Sequence, residues 1–182
     1  MDRKIGIMVG MLLMSAWGTT VHAGVAAKFD IQSGGTAGKG VLHGVAFDWI
    51  ASGSIDKTMD TLLRVNQFSG DTLTFTFASP VNIDYFQFWG LNPSSVNRIT
   101  CYDAQGAVLP VDKTSTSSPD EVSGFTNTVE DGSSVFSPGT GKDNYSAKID
   151  LQPAVSRVSK IVIEVKKEIG LLDIRIGGSA GR

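Results

Sequence analysis

Between Thr72 and Phe77 the chain alternates strictly: Leu73, Phe75 and Phe77 fall on one face and threonines on the other. A period of two is the mark of a half-buried β-strand. Ser79-Pro80 predicts its end, and Val81–Trp89 predicts a second strand. The apolar phase of that second run slips between Tyr85 and Phe86, which predicts a bulge. Arg98–Asp103 reads as a third strand, the sequence Asp103-Ala104-Gln105-Gly106 as a turn, and Val108–Val111 as a fourth. Alternating residues Ala147, Ile149 and Leu151, then Ile161, Ile163 and Val165, then Leu172, Ile174 and Ile176 mark three more, with Asp173 and Arg175 facing outward in the last.

The N-terminal third is less regular. Val25–Ile31 and Val41–Ile50 read as strands joined by the glycine-rich segment Ser33–Gly40. Met59, Leu62 and Leu63, spaced three and four apart, predict a short helix within Ser54–Val65. Residues 112–144 are rich in Ser, Thr and Gly but are studded with Phe125, Val129, Val135 and Phe136. A structureless loop of that length is rare in a compact domain, so a hairpin is expected there, turning at Glu130-Asp131-Gly132-Ser133. Many short strands, each with one apolar face and separated by turn signals, predict an all-β fold of two packed antiparallel sheets with about eight to nine strands.

The first residues follow a different pattern. Asp2, Arg3 and Lys4 carry a net positive charge, Ile5–Trp17 is an apolar run, and Val21-His22-Ala23 has the small or modest side chains that a signal peptidase accepts. The run spans 13 residues, short of the ~20 a membrane-crossing helix needs. Residues 1–23 therefore read as a cleaved secretory signal peptide and residues 24–182 as a single β-sandwich domain, secreted or periplasmic, with no membrane insertion after cleavage. Loss of Asp2, Arg3 and Lys4 takes the formal charge from −2 to −3. A mildly acidic chain lacks the basic face a nucleic-acid partner requires.

Candidate chemistry is sparse. After cleavage His43 is the one remaining histidine, with no HExxH partner, and no GxSxG elbow accompanies the serines. The glycine-rich SGGTAGKG lacks the Lys-Ser or Lys-Thr ending of a phosphate-binding loop. Paired acids for glycoside hydrolysis need a spacing that the fold alone sets. The chain thus reads as a non-enzyme. Cys101, the single cysteine, shares a face with Ile99 and reads as a buried small hydrophobe, with an intermolecular disulfide as the other option. Trp49 and Trp89 are core residues or, if exposed, platforms for the apolar faces of sugars. Trp89 opens the loop Gly90–Asn97, and with Asn92, Asn97 and Arg98 it forms the candidate ligand-binding set.

The segments LTFTFASPVNIDYFQFWGL, RITCYDAQGAVL, VSKIVIEV and GLLDIRIGG resemble the galactose-binding-like β-sandwich. This jelly-roll group includes discoidin-type domains and many carbohydrate-binding modules, and the likeness is greatest to small exported bacterial members. The resemblance spans roughly residues 70–178. It implies a jelly roll, a non-catalytic role, and a structural calcium near the first and last strands, for which Asp30 and Asp173 are the candidate ligands. The resulting expectation is a secreted binding module for a glycan or another surface ligand. The alternative is an exported structural or adhesin-like matrix component acting through contacts with a surface protein. The oligomeric state is left open. Export is checked by N-terminal sequencing of the secreted protein, which is expected to begin at Gly24; Ala23→Arg is expected to leave the precursor uncut.

Overall fold

The computed structural model describes residues 28–30, 36–52, 54–59, 62–66, 71–91, 96–117, 125–137, 145–166 and 169–177. The expected signal peptide and Asn92 lie outside them. Thirteen strands are present among the described residues: β1 (Lys28–Asp30), β2 (Ala37–Leu42), β3 (Val45–Ala51), β4 (Ser54–Met59), β5 (Leu62–Asn66), β6 (Asp71–Leu91), β7 (Asn97–Tyr102), β8 (Val108–Leu109), β9 (Lys113–Ser117), β10 (Thr126–Glu130), β11 (Ser133–Ser137), β12 (Tyr145–Val165) and β13 (Ile169–Gly177). Their ladders join into one antiparallel sheet. The all-β expectation holds.

Two strands of 21 residues, β6 and β12, organise the rest. They pair along most of their length, from Val165 opposite Asp71 to Tyr145 opposite Leu91. Each changes its other neighbour halfway. Leu73–Phe77 of β6 pair with β3, which continues to β2 and β1, whereas Asn82–Trp89 pair with β13, which continues to β5 and β4. On β12, Lys148–Gln152 pair with β9, and Lys160–Glu164 pair with β7, which continues to β11 and β10. The sheet therefore has two arms that share β6 and β12.

Inward positions of the first arm form rows across the strands. Trp49, Phe75, Ile161 and Cys101 make one row, and Ala51, Leu73, Ile163 and Ile99 another; all are buried. The second arm supplies Ile174, Phe86 and Ile149 in one row and Leu171, Phe88 and Ala147 in the next. These residues belong to a single hydrophobic cluster. The arms meet where the Phe88 ring packs on Phe136 of β11, centroids 5.0 Å apart. They meet again at their edges, where Asn127 Nδ2 of β10 donates to Thr116 Oγ1 of β9 at 2.8 Å.

Several turns follow the sequence closely. Asp131 and Gly132 both have positive φ (49° and 73°) in the two-residue connection from β10 to β11, the signature of a type I′ hairpin. Asp103 Oδ1 accepts the backbone N–H groups of Gln105 and Ala107, which closes the predicted turn after β7. The bulge in β6 is also present. Tyr85 pairs with Arg175 but Ile83 pairs with Ile176, so Asp84 is the extra residue and Ile83, Phe86 and Phe88 all face the core.

Other expectations are corrected. Ser54–Met59 and Leu62–Asn66 pair as strands β4 and β5 where a short helix was expected, because Leu63 and Val65 extend the ladder of β13 and this pairing overrides a weak helical spacing. Pro80 does not end a strand. It lies between the last pair to β3 (Phe77) and the first to β13 (Asn82), where no ladder partner needs its missing N–H. The segment read as one strand from Val41 to Ile50 is split by a turn at His43-Gly44, again with both residues at positive φ, and the glycine-bearing Ala37–Gly40 becomes strand. The two expected strands at 147–151 and 161–165 are one, β12.

Two outcomes follow. Phe88→Ala removes the ring that joins the arms and is expected to cost about 3–5 kcal/mol, measured by urea unfolding. Burial pushes the Cys101 thiol up to about 12, so the native protein is expected to resist a thiol reagent at about pH 8 and to react fully once unfolded.

Candidate functional site

Along β6 the bulge reverses which side chains face out. Past Asp84, Tyr85 and Gln87 point away from Phe86 and Phe88, so both join the outer face of the second arm. Their cross-strand neighbours are set by register. Tyr85 stands between Asp150 of β12 and Arg175 of β13, and Gln87 stands between Lys148 and Asp173. β9 continues one of these rows with Ser115 beside Asp150. The result is a face of amide, carboxylate, cation and hydroxyl groups around one phenol ring.

Within it, Lys148 Nζ is 2.8 Å from Asp150 Oδ1 and lies 4.8 Å from the centroid of the Tyr85 ring. Tyr85 OH donates to Asp173 Oδ2 at 3.3 Å. Gln152 Nε2 donates to Ser115 Oγ at 2.8 Å. Burial raises the Tyr85 pKa above its ordinary 10.0; the charge of Asp173 and the hydrogen bond to it act the same way, partly offset by Arg175 and Lys148.

One further residue reaches this face from a distance. His43 sits at the tip of the β2–β3 hairpin with φ +48°, and its Nε2 stands 3.6 Å from Asp173 Oδ1. The two side chains are 16% and 23% exposed. Both atoms are buried and neither has a hydrogen-bond partner. Sequence reading treated His43 as isolated because its carboxylate lies 130 residues further along. The one local signal was His43-Gly44 itself, a pair suited to a turn with positive φ at both positions.

The residues singled out from sequence are dispersed. Trp89 lies in β6 opposite Gly170, and its side chain is outside the described residues, as is the whole of Asn92. Asn97 is fully buried, and its Oδ1 accepts the backbone N–H of Lys166 at 3.3 Å. Arg98 donates from Nη1 to Glu130 O and from Nη2 to Glu130 Oε2, and its Nε is 3.6 Å from Glu164 Oε2. These contacts hold Arg98 against β10 and β12. Trp49 is fully buried in the core row and offers no ring face to solvent.

The calcium pair is likewise not assembled by register. Asp30 pairs with Lys39 on β1, two strands beyond β3, whereas Asp173 pairs with Gln87 directly beside β6. Among the described residues no group of three or more His, Cys, Asp or Glu side chains is placed to hold a metal ion. The donors beside Asp173 are a phenol, Tyr85 OH at 3.3 Å, and an imidazole nitrogen, His43 Nε2 at 3.6 Å, a set that does not fit calcium, which takes six to eight oxygens. No helix among the described residues is long and apolar enough to cross a membrane.

A raised phenol pKa has a definite sign. The neutral Tyr85 phenol is favoured in the folded state, so its stabilisation is complete below pH 10.0 and is lost as pH rises through the raised value. An ultraviolet titration of tyrosinate is expected to show a late-titrating phenol that disappears in Tyr85→Phe. No protein-family model matches the chain, and no curated protein is significantly similar to it.

Proposed function

We propose that this protein is an exported, non-catalytic binding module that recognises a glycan through the outer face of the second arm. The observation that carries this reading is the Tyr85 face. Side chains on neighbouring strands stand ~4.8 Å apart and those two residues apart on one strand ~6.8 Å apart. That grid is comparable with the span of a sugar ring and places hydrogen-bonding groups of several kinds around an aromatic ring. Gln87, Asp150, Asp173 and Arg175 supply donors and acceptors for hydroxyl groups, and the partly exposed Tyr85 ring supplies apolar contact. Arg175 is exposed.

The two-sheet jelly-roll architecture belongs to the same proposal. Its support is the change of neighbours halfway along β6 and β12, together with the Phe88–Phe136 and Asn127–Thr116 contacts between the arms. The galactose-binding-like resemblance and the signal-peptide pattern of residues 1–23 add to this reading, because such sandwiches serve outside the cytoplasm as binding parts.

A second reading has its own observation. Val41 and Ile50 are exposed (46% and 61%) on the outer face of the β2–β3 hairpin, on either side of the Lys39–Asp48 ion pair, an arrangement that favours a protein contact in an adhesin-like or matrix role.

Retention on a panel of immobilised polysaccharides separates the two. Glycan recognition predicts retention on at least one polysaccharide, reduced at least about tenfold by Tyr85→Ala or Arg175→Ala and unchanged by Ile50→Ser. Absence of retention on every polysaccharide sinks the glycan reading. Self-association or capture of an envelope protein that is lost in Ile50→Ser supports the second one.

A further inference from the structure

We propose that His43 and Asp173 form a binding site for a zinc-class divalent cation, distinct from any calcium site. The inference does not depend on glycan recognition.

It starts from two atoms. His43 Nε2 and Asp173 Oδ1 belong to the residue types that ligate zinc, and both are buried without a hydrogen-bond partner. An orphaned buried polar atom is costly, and two of them facing each other need a common reason. They stand 3.6 Å apart. Zinc lies ~2.0–2.1 Å from an imidazole nitrogen and ~2.0–2.2 Å from a carboxylate oxygen, so at a tetrahedral angle the two donors stand roughly 3.4 Å apart. The observed separation accommodates the ion with a shift of a few tenths of an ångström. A direct hydrogen bond would need the pair to close further, to about 2.7–3.2 Å.

The surroundings suit the assignment. Tyr85 OH donates to Asp173 Oδ2, the other carboxylate oxygen. This leaves Oδ1 for the ion and fixes the carboxylate's orientation, as outer hydrogen bonds commonly do around metal ligands. Two β-elements far apart in the chain hold the donors: the tip of the β2–β3 hairpin and the middle of β13. A nitrogen donor beside a carboxylate selects a borderline cation over calcium, which prefers oxygen alone. Zinc is commonly held by three or four protein ligands and two are present here, so binding is of moderate affinity.

The chain contains two histidines, His22 and His43, which makes the test specific. Protein expressed from the full-length reading frame with His22→Ala has His43 as its only imidazole. Zinc chloride, cobalt chloride and calcium chloride are titrated separately while thermal unfolding is followed. The cobalt absorption spectrum and the His43 ring resonances are recorded in parallel. The expected result is a saturable rise in melting temperature with zinc, none with calcium, and a shift of the His43 resonances at the same zinc concentrations.

His43→Asn keeps a residue that tolerates positive φ and is expected to abolish the zinc effect, as is Asp173→Asn. Tyr85→Phe is expected to weaken zinc about tenfold. Asp48→Asn, an exposed acid on the same hairpin, is expected to leave it intact. Because the spectra are read on folded protein that retains both ligands, a folding defect in a variant leaves the test decisive. A melting temperature and ring resonances indifferent to zinc, an equal response to calcium, or a zinc effect that survives in folded His43→Asn would each overturn the proposal.

Discussion

Everything in this fold hangs on the pairing of β6 with β12. Each strand is 21 residues long, and the ladder between them runs from Asp71 opposite Val165 to Leu91 opposite Tyr145. Strands this long twist, and a flat pairing over such a length is unfavourable. The ladder breaks register in the middle, between Asp150 and Lys160 on β12, close to Pro80 on β6, which has no N–H to give. On either side of that break each strand takes a new outer neighbour. One long pair thereby organises two arms, and the buried rows through Phe75 and Phe86 are the same pair seen before and after the break.

The break also decides where chemistry can gather. Strict alternation from Leu73 onward would have turned Tyr85 inward and Phe86 outward. The extra residue Asp84 resets the phase, which keeps Phe86 and Phe88 in the core and sends Tyr85 and Gln87 to the outer face. Pairing on both edges then surrounds Tyr85 with Asp150 and Arg175 and surrounds Gln87 with Lys148 and Asp173. β3 and β13 share one edge of β6, with the start of β3 following the end of β13, and His43 at the hairpin tip reaches Asp173 from there. The outer face around Tyr85 and the approach of His43 to Asp173 are both consequences of this one edge being divided between two partners.

The local parts of the fold were legible from residue order. Asp131-Gly132 flanked by alternating residues specifies a tight hairpin because few residues tolerate two consecutive positive φ values. Asp103 specifies its turn because a short carboxylate can accept N–H groups two and four residues on. The bulge showed as a phase slip because burial punishes a misplaced aromatic on either side of it. The candidate ligand set was not legible in the same way. Asn97 and Arg98 looked available because they follow a polar loop, yet one is buried as an acceptor for Lys166 and the other is held by Glu130 and Glu164. These partners lie 32 to 69 residues away, a distance over which one sequence carries no signal.

By itself, then, the sequence determined the strand character of the chain, the inward face of most strands, and the turns at Asp103 and Asp131. Each is a local property, set by side-chain alternation or by the conformational limits of a few residues. Tertiary structure decided the rest: the merging of strands across Pro80, the pairing of β4 with β5 in place of a helix within 54–65, and the meeting of His43, Tyr85 and Asp173. Those depend on which strands become neighbours, and neighbour choice is settled by burying all the apolar rows at once. His43 and Asp173, 130 residues apart in the chain, come within 3.6 Å only through that collective packing.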